Sequence, residues 1–324
     1  MGDFSADWLT LREPVDACSR AGHLVDRLLA RWPAPTASAA MIGLTRRILD
    51  LGCGTGANLR YLAPRLGATA GVPAWRSQAW LCLDKDPLLL AELERRTRPG
   101  EAWARGLELS VRTLRQDLAA GLGPLPLIPG TLVTASALLD LVSADWLGGL
   151  LRACAGAGSP LLLALTYDGR MDFTPAHPLD GTLIALFHAH QRRDKGLGIA
   201  LGPQAPAHLA SVAAELGFAV EVSASDWVLG PGDAALAEAL IQGWVTAAIE
   251  QADRAGGTSG GDPGRPPARV ERSGQGRRTA TRPDAARLIT MIVAWREARL
   301  AQNATGVLSI RVGHQDALLL PALA

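Results

Sequence analysis

The sequence predicts an α/β fold in which a mostly parallel sheet of seven strands is covered by helices on both faces, a doubly wound arrangement. Short, continuous apolar runs recur along the chain, and such runs are typical of parallel strands that are buried on both sides. Amphipathic helical patterns separate the first five of these runs, which indicates helical crossovers between parallel strands. A glycine-rich turn joins the first strand to the helix that follows it.

The apolar runs place the strands, and patterns with a period of 3.6 residues place the helices. Strands are expected at Arg46–Leu51, Trp80–Leu83, Leu107–Leu114, Thr131–Leu139, Leu161–Thr166, Val220–Val228 and Val307–Val312. Helices are expected at 14–32, Thr55–Leu66, Leu88–Thr97, from Ser143 through Cys154, Pro206–Leu216, 234–250 and 284–300. Pro14 suits the first turn of the first helix, because the amide hydrogen that proline lacks is not needed there.

Composition excludes several classes of protein. The chain has 324 residues, a net charge of +1 and 48% hydrophobic residues. This near-neutral balance argues against a surface dedicated to nucleic acid. The four cysteines are widely spaced and form neither a zinc pattern nor a disulfide framework, which fits a reducing compartment. Neither a signal peptide nor a membrane-spanning apolar stretch is expected, so we expect a cytoplasmic location.

Residues 48–58, Ile-Leu-Asp-Leu-Gly-Cys-Gly-Thr-Gly-Ala-Asn, are the most informative segment of the chain. An apolar strand ends in Asp50, and Gly52, Gly54 and Gly56 follow it before the helix begins. Glycines between a strand and a helix let the backbone approach a ligand that side chains would exclude. The segment therefore predicts a small-molecule binding site at this turn.

Two kinds of cofactor are compatible with this turn. Gly52, Gly54 and Ala57 also fit the dinucleotide pattern G-x-G-x-x-G/A. Three details favour another interpretation: an acid lies within the strand end, Gly56 extends the run to G-x-G-x-G, and Asp84 lies somewhat further along than the dinucleotide pattern prefers.

Asp50-Leu-Gly-Cys-Gly-Thr-Gly56 resembles motif I of the class I S-adenosylmethionine-dependent methyltransferases, a family with a Rossmann-like sheet whose last strand is antiparallel. Asp84 falls where this family binds the ribose hydroxyls, and Asp117 falls where it places an acid near the adenine amino group. The resemblance covers about residues 46–230, and the strand at 307–312 fits the antiparallel last strand. It implies S-adenosylmethionine as the cofactor and a binding set of Asp50, Gly52, Cys53, Gly54, Gly56, Asn58, Asp84, Lys85, Asp117, Leu118 and Ser136.

The same resemblance gives a domain organisation. Residues 1–45 are expected to form an N-terminal helical cap, and residues 46–324 the methyltransferase domain. A helical insertion at 170–204 is expected to act as a lid over the acceptor site. Residues 252–283 are rich in Gly, Pro, Arg, Ser and Thr, so they are expected to be a disordered loop.

The residues that follow the fourth strand can be compared with the motifs that other methyltransferases carry there for particular classes of methyl acceptor. The segment Ala137-Leu138-Leu139-Asp140 contains neither the Asn/Asp-Pro-Pro-aromatic tetrapeptide of base aminomethyltransferases nor the Pro-Cys pair of C5-cytosine enzymes. A nucleic-acid substrate is therefore not favoured. Asp140 and Asp168 superficially resemble the metal ligands of catechol-type enzymes, but Gly169 stands where an amide ligand is expected, so no metal is predicted.

A small-molecule acceptor remains, and the residues that handle it are hypotheses. Asp140 and Tyr167 are candidate catalytic groups, with helix capping and core packing as their respective structural alternatives. The candidate acceptor-binding residues are Arg12, His188, His190, Arg192 and Arg193. An anionic acceptor would explain these arginines, and a solvated lid surface would explain them as well.

The sequence therefore predicts a methyltransferase that transfers the methyl group of S-adenosylmethionine to a small molecule by in-line displacement. Two alternatives stay open, an NAD-dependent oxidoreductase and a non-catalytic subunit that binds S-adenosylmethionine. The sequence names neither the acceptor nor the oligomeric state.

Overall fold

The computed structural model describes residues 4–31, 45–68, 76–122, 125–194, 196–257 and 282–322. The chain forms two compact units. The sheet unit contains residues 2–171, 191–228 and 311–324, and the helical unit contains residues 172–190 and 229–310.

The sheet contains eight strands, and its order is β3-β2-β1-β4-β5-β8-β6, with β7 paired to β8. The strands are β1 (Arg46–Leu51), β2 (Ser77–Asp84), β3 (Glu108–Arg115), β4 (Leu132–Ser136), β5 (Leu161–Thr174), β6 (Ala219–Ala224), β7 (Trp227–Leu229) and β8 (Ser309–Leu320). Strands β3, β2, β1, β4 and β5 run parallel to their neighbours within that series, and β8 pairs antiparallel with β6. The predicted fold, a mostly parallel sheet with an antiparallel last strand, is confirmed.

Helices cover both faces of the sheet. The helices of the sheet unit are α1 (Ala6–Ser19), α2 (Gly22–Arg31), α3 (Ala57–Gly67), α4 (Pro87–Arg96), α5 (Ala144–Gly156) and α7 (Ala205–Glu215). The helical unit contains α6 (Asp180–Gln191), α8 (Ala234–Gly257) and α9 (Arg282–Ala304). One buried cluster joins Leu147 of α5 and Leu209 of α7 to the sheet. A second joins Leu28 of α2 and Leu62 of α3 to it. The two clusters correspond to the two faces of a doubly wound sheet.

The predicted N-terminal helix at 14–32 is wrong, because two helices occupy this region. Helix α1 begins eight residues earlier than expected, since Ser5 caps it by accepting a hydrogen bond from the amide of Trp8, and Pro14 lies inside it. Helix α1 ends before Arg20, whose backbone is extended. The carboxylate of Asp316 on β8 accepts a hydrogen bond from the Ala21 amide at 3.0 Å, so a partner distant in sequence fixes the break.

Several strand boundaries also differ from the prediction. Strand β2 begins at Ser77, inside the expected loop. Strand β5 continues to Thr174, so the expected insertion at 170–204 begins within a strand. The expected strand at 220–228 divides into β6 and β7, which raises the strand count to eight. Strand β8 continues eight residues beyond the expected end at Val312.

The helical unit packs around aromatic rings. Phe173 makes edge contacts with Trp244 of α8 and Trp295 of α9, with ring centroids 5.6 and 5.5 Å apart. The buried Arg299 forms an ion pair with Asp180. Of the expected disordered loop at 252–283, residues 252–257 belong to α8 and 282–283 to α9, and 258–281 lie outside the described residues. Among the described helices, none combines the length and hydropathy needed to cross a bilayer.

Candidate active site

The turn between β1 and α3 holds three glycines in the left-handed region. Gly52, Gly54 and Gly56 have φ angles of 63°, 52° and 84°, which side chains other than glycine rarely adopt. A Cβ atom at Gly54 would lie 2.9 Å from Cδ1 of Leu9 in α1, and one at Gly52 would lie 3.4 Å from the Leu138 side chain. The bare backbone of this turn is therefore a requirement of its conformation and of its surroundings.

Asp50 lies at the centre of a buried hydrogen-bond network. Its Oδ1 accepts a hydrogen bond of 2.7 Å from Nδ2 of Asn58, which also donates to Oγ1 of Thr134 at 3.1 Å. The Oδ1 of Asn58 in turn accepts from Nη1 of Arg20 at 2.7 Å. Asn58 thus joins the end of β1, the strand β4 and the break after α1. The sequence gives Asn58 as a cofactor contact or a helix cap, and in the structure it is the hub of this network.

The second carboxylate oxygen of Asp50 has no partner. Oδ2 is buried and makes no hydrogen bond to any described residue. Burial raises the pKa of Asp50 from 3.8 to about 7, although Asn58 and Arg20 act in the opposite direction. An orphaned carboxylate oxygen is costly in a protein interior, so its presence beside a glycine turn marks a site for a hydrogen-bond donor or a cation.

Asp84 at the end of β2 is tied to the glycine turn. Its Oδ2 accepts a hydrogen bond of 2.8 Å from the Gly54 amide, and its Oδ1 accepts one of 3.0 Å from the Asp86 amide. A carboxylate offers about four acceptor positions, so each oxygen keeps capacity for a further donor. The Lys85 carbonyl accepts from Nε of Arg115 at 3.3 Å.

Strand β3 brings the next predicted acid to the same edge of the sheet. The Gln116 amide donates to the Asp84 carbonyl at 2.9 Å. Asp117 follows at an exposed position and caps a short 3-10 turn by accepting from the Ala119 amide. The Leu118 side chain is buried, and its carbonyl accepts from the indole of Trp146 at 2.9 Å.

The remaining predicted cofactor residues are Cys53 and Ser136. Cys53 is buried, and a hydrogen bond with Cys82 together with burial raises the pKa of its thiol well above the usual value. Its amide donates to the Leu83 carbonyl and its carbonyl accepts from the Gly56 amide. Its structural contribution is therefore through packing and backbone. Ser136 is the half-buried last residue of β4.

Two non-glycine residues are backbone-strained at the exits from the pairing of β4 with β5, Ala137 after the end of β4 and Leu165 within β5. Ala137 and Leu165 both have φ angles of 53°. The Ala137 amide donates to the Ala164 carbonyl at 2.9 Å, and the Leu165 amide donates to Asp316 at 2.7 Å. Left-handed conformation costs an L-residue about 1 kcal/mol or more, and such strain is concentrated at functional sites.

The two candidate catalytic residues lie at these exits. Asp140 is buried within a 3-10 turn after β4, and Ser143 caps α5 by accepting from the Trp146 amide. Tyr167 is buried on β5, and burial with the nearby charges of Asp168 and Asp140 raises the pKa of its hydroxyl. Tyr167 therefore stays protonated at neutral pH and can donate a hydrogen bond, which does not suit it to remove a proton.

Helix α1 lies across the glycine turn. Beyond the contact of Leu9 with Gly54, Glu13 forms a two-point ion pair with Arg60 of α3 at 2.6 and 2.8 Å. Arg96 of α4 approaches the same carboxylate at 3.6 Å. Ion pairs to both helices thus hold the N-terminal helix over the end of the sheet.

The predicted acceptor-binding residues divide between the two compact units. His188 and His190 belong to α6 of the helical unit, where the buried His190 makes a hydrogen bond of 3.0 Å to Glu250. Arg192 and Arg193 belong to the sheet unit, and Arg192 is exposed.

Arg12 belongs to a cluster that the sequence reasoning missed. It forms an ion pair with Asp16 at 2.9 Å, and its guanidinium lies 4.8 Å from the ring centre of Trp227. The Trp227 ring centre is 5.0 Å from that of His314 on β8. Polar His314 and Asp316 alternating within an apolar final strand could have indicated this cluster. Among the described residues, no group of three or more His, Cys, Asp or Glu side chains could hold a metal ion.

The fold family follows from the order of the strands together with the acid-ended glycine turn. Strand order β3-β2-β1-β4-β5-β8-β6, with β8 antiparallel to β6, differs from the 3-2-1-4-5-6 order of dinucleotide-binding sheets. The fold is a mostly parallel, Rossmann-like sheet with an antiparallel last strand, as the resemblance to the class I methyltransferases implies.

Solved structures of similar fold cover most of the chain at low identity. The cyclopropane synthase MmaA2 from Mycobacterium tuberculosis is 12% identical, with 98% of this chain and 95% of that chain covered and a TM-score of 0.41. A cyclopropane-fatty-acyl-phospholipid synthase-like protein from Lactobacillus casei ATCC 334 is 15% identical, with 95% and 98% covered and a TM-score of 0.46. Magnesium protoporphyrin IX methyltransferase from Synechocystis PCC 6803 is 17% identical, with 69% and 84% covered and a TM-score of 0.36. No family model and no curated protein matches the chain. Similarity at this level does not identify a reaction, which has to be inferred from the chain's own residues.

Proposed function

We propose that the protein is an S-adenosylmethionine-dependent methyltransferase that acts on a small molecule. The observation that carries this proposal is the turn after β1, where three left-handed glycines adjoin a buried carboxylate oxygen of Asp50 that has no hydrogen-bond partner among the described residues. S-adenosylmethionine supplies a methyl group already activated by a sulfonium, and it carries an ammonium group and a ribose but no phosphate. A turn that offers bare backbone and carboxylates, rather than a cluster of cations, fits such a ligand.

The residues around the turn have separate roles in this proposal. Gly52, Gly54 and Gly56 allow the backbone to approach the ligand. Oδ2 of Asp50 would accept a hydrogen bond from the ammonium group. The open acceptor positions of Asp84 would bind the ribose hydroxyls with charge-assisted hydrogen bonds.

The remaining assignments are weaker in their physical support. Asp117 would lie near the adenine amino group, which its exposed position allows. Contacts by Cys53, Asn58, Lys85, Leu118 and Ser136 stay predictions that come from the resemblance.

An anionic acceptor is a narrower version of this proposal. It rests on Arg12, Arg192 and Arg193. The Arg12 guanidinium is already paired with Asp16 through two hydrogen bonds. Arg192 is exposed. The charge of Arg12 is therefore already compensated within the chain, which does not favour an anionic acceptor.

The NAD-dependent alternative has one specific observation against it. A dinucleotide-binding sheet has its sixth strand beside the fifth in an all-parallel series, whereas β8 lies between β5 and β6 and pairs antiparallel with β6. A non-catalytic subunit would retain the cofactor site and lack an acceptor site, so it differs in turnover rather than in binding.

Calorimetric titration of the full chain with S-adenosylhomocysteine and, separately, with NAD tests the proposal. We expect saturable binding of S-adenosylhomocysteine and no binding of NAD. Binding of NAD alone would refute the proposal. Incubation with S-adenosylmethionine labelled in its methyl group, and with a panel of small phenols and amines, then separates an enzyme from a binding subunit.

A further inference from the structure

A group of aromatic and charged residues lies at the carboxyl edge of the sheet, next to the network of the glycine turn. The Ser225 amide, just past the end of β6, donates to the His314 carbonyl at 2.9 Å. His314 therefore lies at the edge where open α/β sheets bind their ligands. Its ring is 6.0 Å from that of Tyr167 and 5.0 Å from that of Trp227, measured between ring centres.

Strand geometry connects His314 to the proposed cofactor site. His314 and Asp316 are two residues apart on β8, so their side chains point to the same face, about 7 Å apart along the strand. Asp316 accepts from the Leu165 amide at the exit of β5, and Nε of Arg20 lies 4.0 Å from its carboxylate. Arg20 donates to Asn58, which bonds to the acid of the glycine turn. His314 thus lies two residues along β8 from Asp316, which belongs to the network that supports the turn.

The hydrogen bonds of His314 leave one ring nitrogen available. Nδ1 lies 3.1 Å from the Val312 carbonyl, which can only accept, so Nδ1 carries the proton. In the neutral ring, Nε2 then presents a lone pair, and it makes no hydrogen bond to any described residue. Burial, followed by the charge of Arg12, lowers the pKa of His314 to about 4 against the opposing effects of Val312, Asp168 and Asp226. The lone pair is therefore present throughout the neutral pH range.

The charges around His314 compensate one another. Arg12 is paired with Asp16, and Arg170 is paired with both Asp168 and Asp226. Arg311 also approaches Asp226 at 3.3 Å. Three arginines thus face three aspartates, so this edge carries no excess of positive charge with which to select an anion.

We infer that Nε2 of His314 accepts a hydrogen bond from an uncharged hydroxyl or N–H group of the methyl acceptor, at the carboxyl edge of the sheet. This inference rests on the proposed function and extends it, because it assigns the acceptor's reacting group to a neutral donor rather than to an anion. The hydrogen bond orients the nucleophile and turns its lone pair away from the ring.

Nitrogen-15 NMR of the full chain labelled at histidine tests this inference in the presence of saturating S-adenosylhomocysteine. Loss of one signal in His314→Phe assigns the resonance. The probes are phenol as a neutral hydroxyl group, benzoate as its anionic counterpart and toluene as the ring without a donor. We expect phenol alone to shift the Nε2 resonance of His314, and we expect benzoate not to bind more tightly than phenol.

Variants separate a binding role from a structural one. His314→Phe should weaken phenol binding roughly fivefold, the value of one hydrogen bond, while S-adenosylhomocysteine binds as before. His314→Gln retains a side-chain acceptor and should recover part of the affinity, and His208→Phe on α7 should change nothing.

The outcomes are distinguishable. An unmoved His314 resonance, or equal phenol affinity in the wild type and His314→Phe, overturns the inference while the proposed function stands. Failure of S-adenosylhomocysteine itself to bind overturns both.

Discussion

Asp50→Asn tests whether the buried charge of Asp50, the acid of the glycine turn, lowers the stability of the folded protein. The change keeps an oxygen in place to accept from Asn58, and it removes the charge whose second oxygen has no partner. Isosteric substitution leaves the turn geometry intact. Its effect on stability therefore reports on the charge.

The magnitude follows from the pKa of Asp50, which is 3.8 in an unfolded chain and about 7 in the folded protein. A carboxyl group with a raised folded pKa stabilises the protein fully below the unfolded value. That stability is lost as the pH rises through the folded value. At about 1.4 kcal/mol per tenfold change in proton affinity, the wild type should lose roughly 2–3 kcal/mol between pH 5 and pH 8 through this group alone.

The asparagine variant lacks this loss, but its amide leaves a buried donor without a partner at a cost of about 1–3 kcal/mol. The two effects should nearly cancel at pH 5, and the variant should be more stable than the wild type at pH 8. Urea unfolding followed by circular dichroism at both pH values measures the difference. Asp117→Asn, the same change of residue at an exposed position, is the matched control.

The reasoning is refuted if the stability of Asp50→Asn relative to the wild type is the same at pH 5 and pH 8. It is also refuted if the variant loses relative stability at the higher pH. If the prediction holds and the variant binds S-adenosylhomocysteine more weakly, then the chain retains an unfavourable buried charge for its ligand.

Three further changes test the surroundings of the turn. Ala137→Gly should raise the free energy of unfolding by about 0.5–1 kcal/mol, because it relieves a left-handed residue; Ala135→Gly, within β4, should instead lower it, and thermal unfolding compares them. Gly56→Ala should lower the free energy of unfolding by more than about 1 kcal/mol, since its φ of 84° and a leucine side chain 2.9 Å from the added Cβ both oppose it; a stability equal to the wild type would contradict the glycine requirement. Glu13→Gln should cost about 1 kcal/mol by weakening the two-point ion pair with Arg60, and the loss should shrink in high salt; a loss that does not depend on salt would argue against an electrostatic origin.

The sequence predicts those parts of the fold that local patterns encode. Continuous apolar runs locate β1 and the start of β4 well, because strands buried on both faces need apolar residues throughout. The expected end of β4 at Leu139 is wrong, since the strand ends at Ser136 and a 3-10 turn follows it. The glycines and acids at the strand ends are found for a related reason, since a close backbone approach requires a particular residue type. Each of these features depends on a few neighbouring residues.

The missed features depend on contacts between distant parts of the chain. The break at Arg20 is fixed by Asp316, which is almost the whole chain away. Strand β8 extends past its expected end because its polar His314 and Asp316 are buried against the N-terminal helices and β5. These two polar residues interrupt the apolar run that predicts a strand. A search for continuous apolar runs therefore misses the candidate acceptor cluster, whereas the alternation of these two polar residues within an apolar strand could have indicated it.

The dissociation constant of S-adenosylhomocysteine, measured by calorimetry for the wild type and for Asp84→Ala, tests the assignment of the cofactor site most directly. Asp84→Asn is a second variant that keeps an acceptor for the Gly54 amide and so separates loss of the ligand contact from disorder of the turn. We predict that Asp84→Ala weakens binding by roughly 1.5–3 kcal/mol, the range for hydrogen bonds to a charged group, with Asp84→Asn between it and the wild type. Equal dissociation constants in all three folded proteins would contradict the assignment of Asp84 to the cofactor.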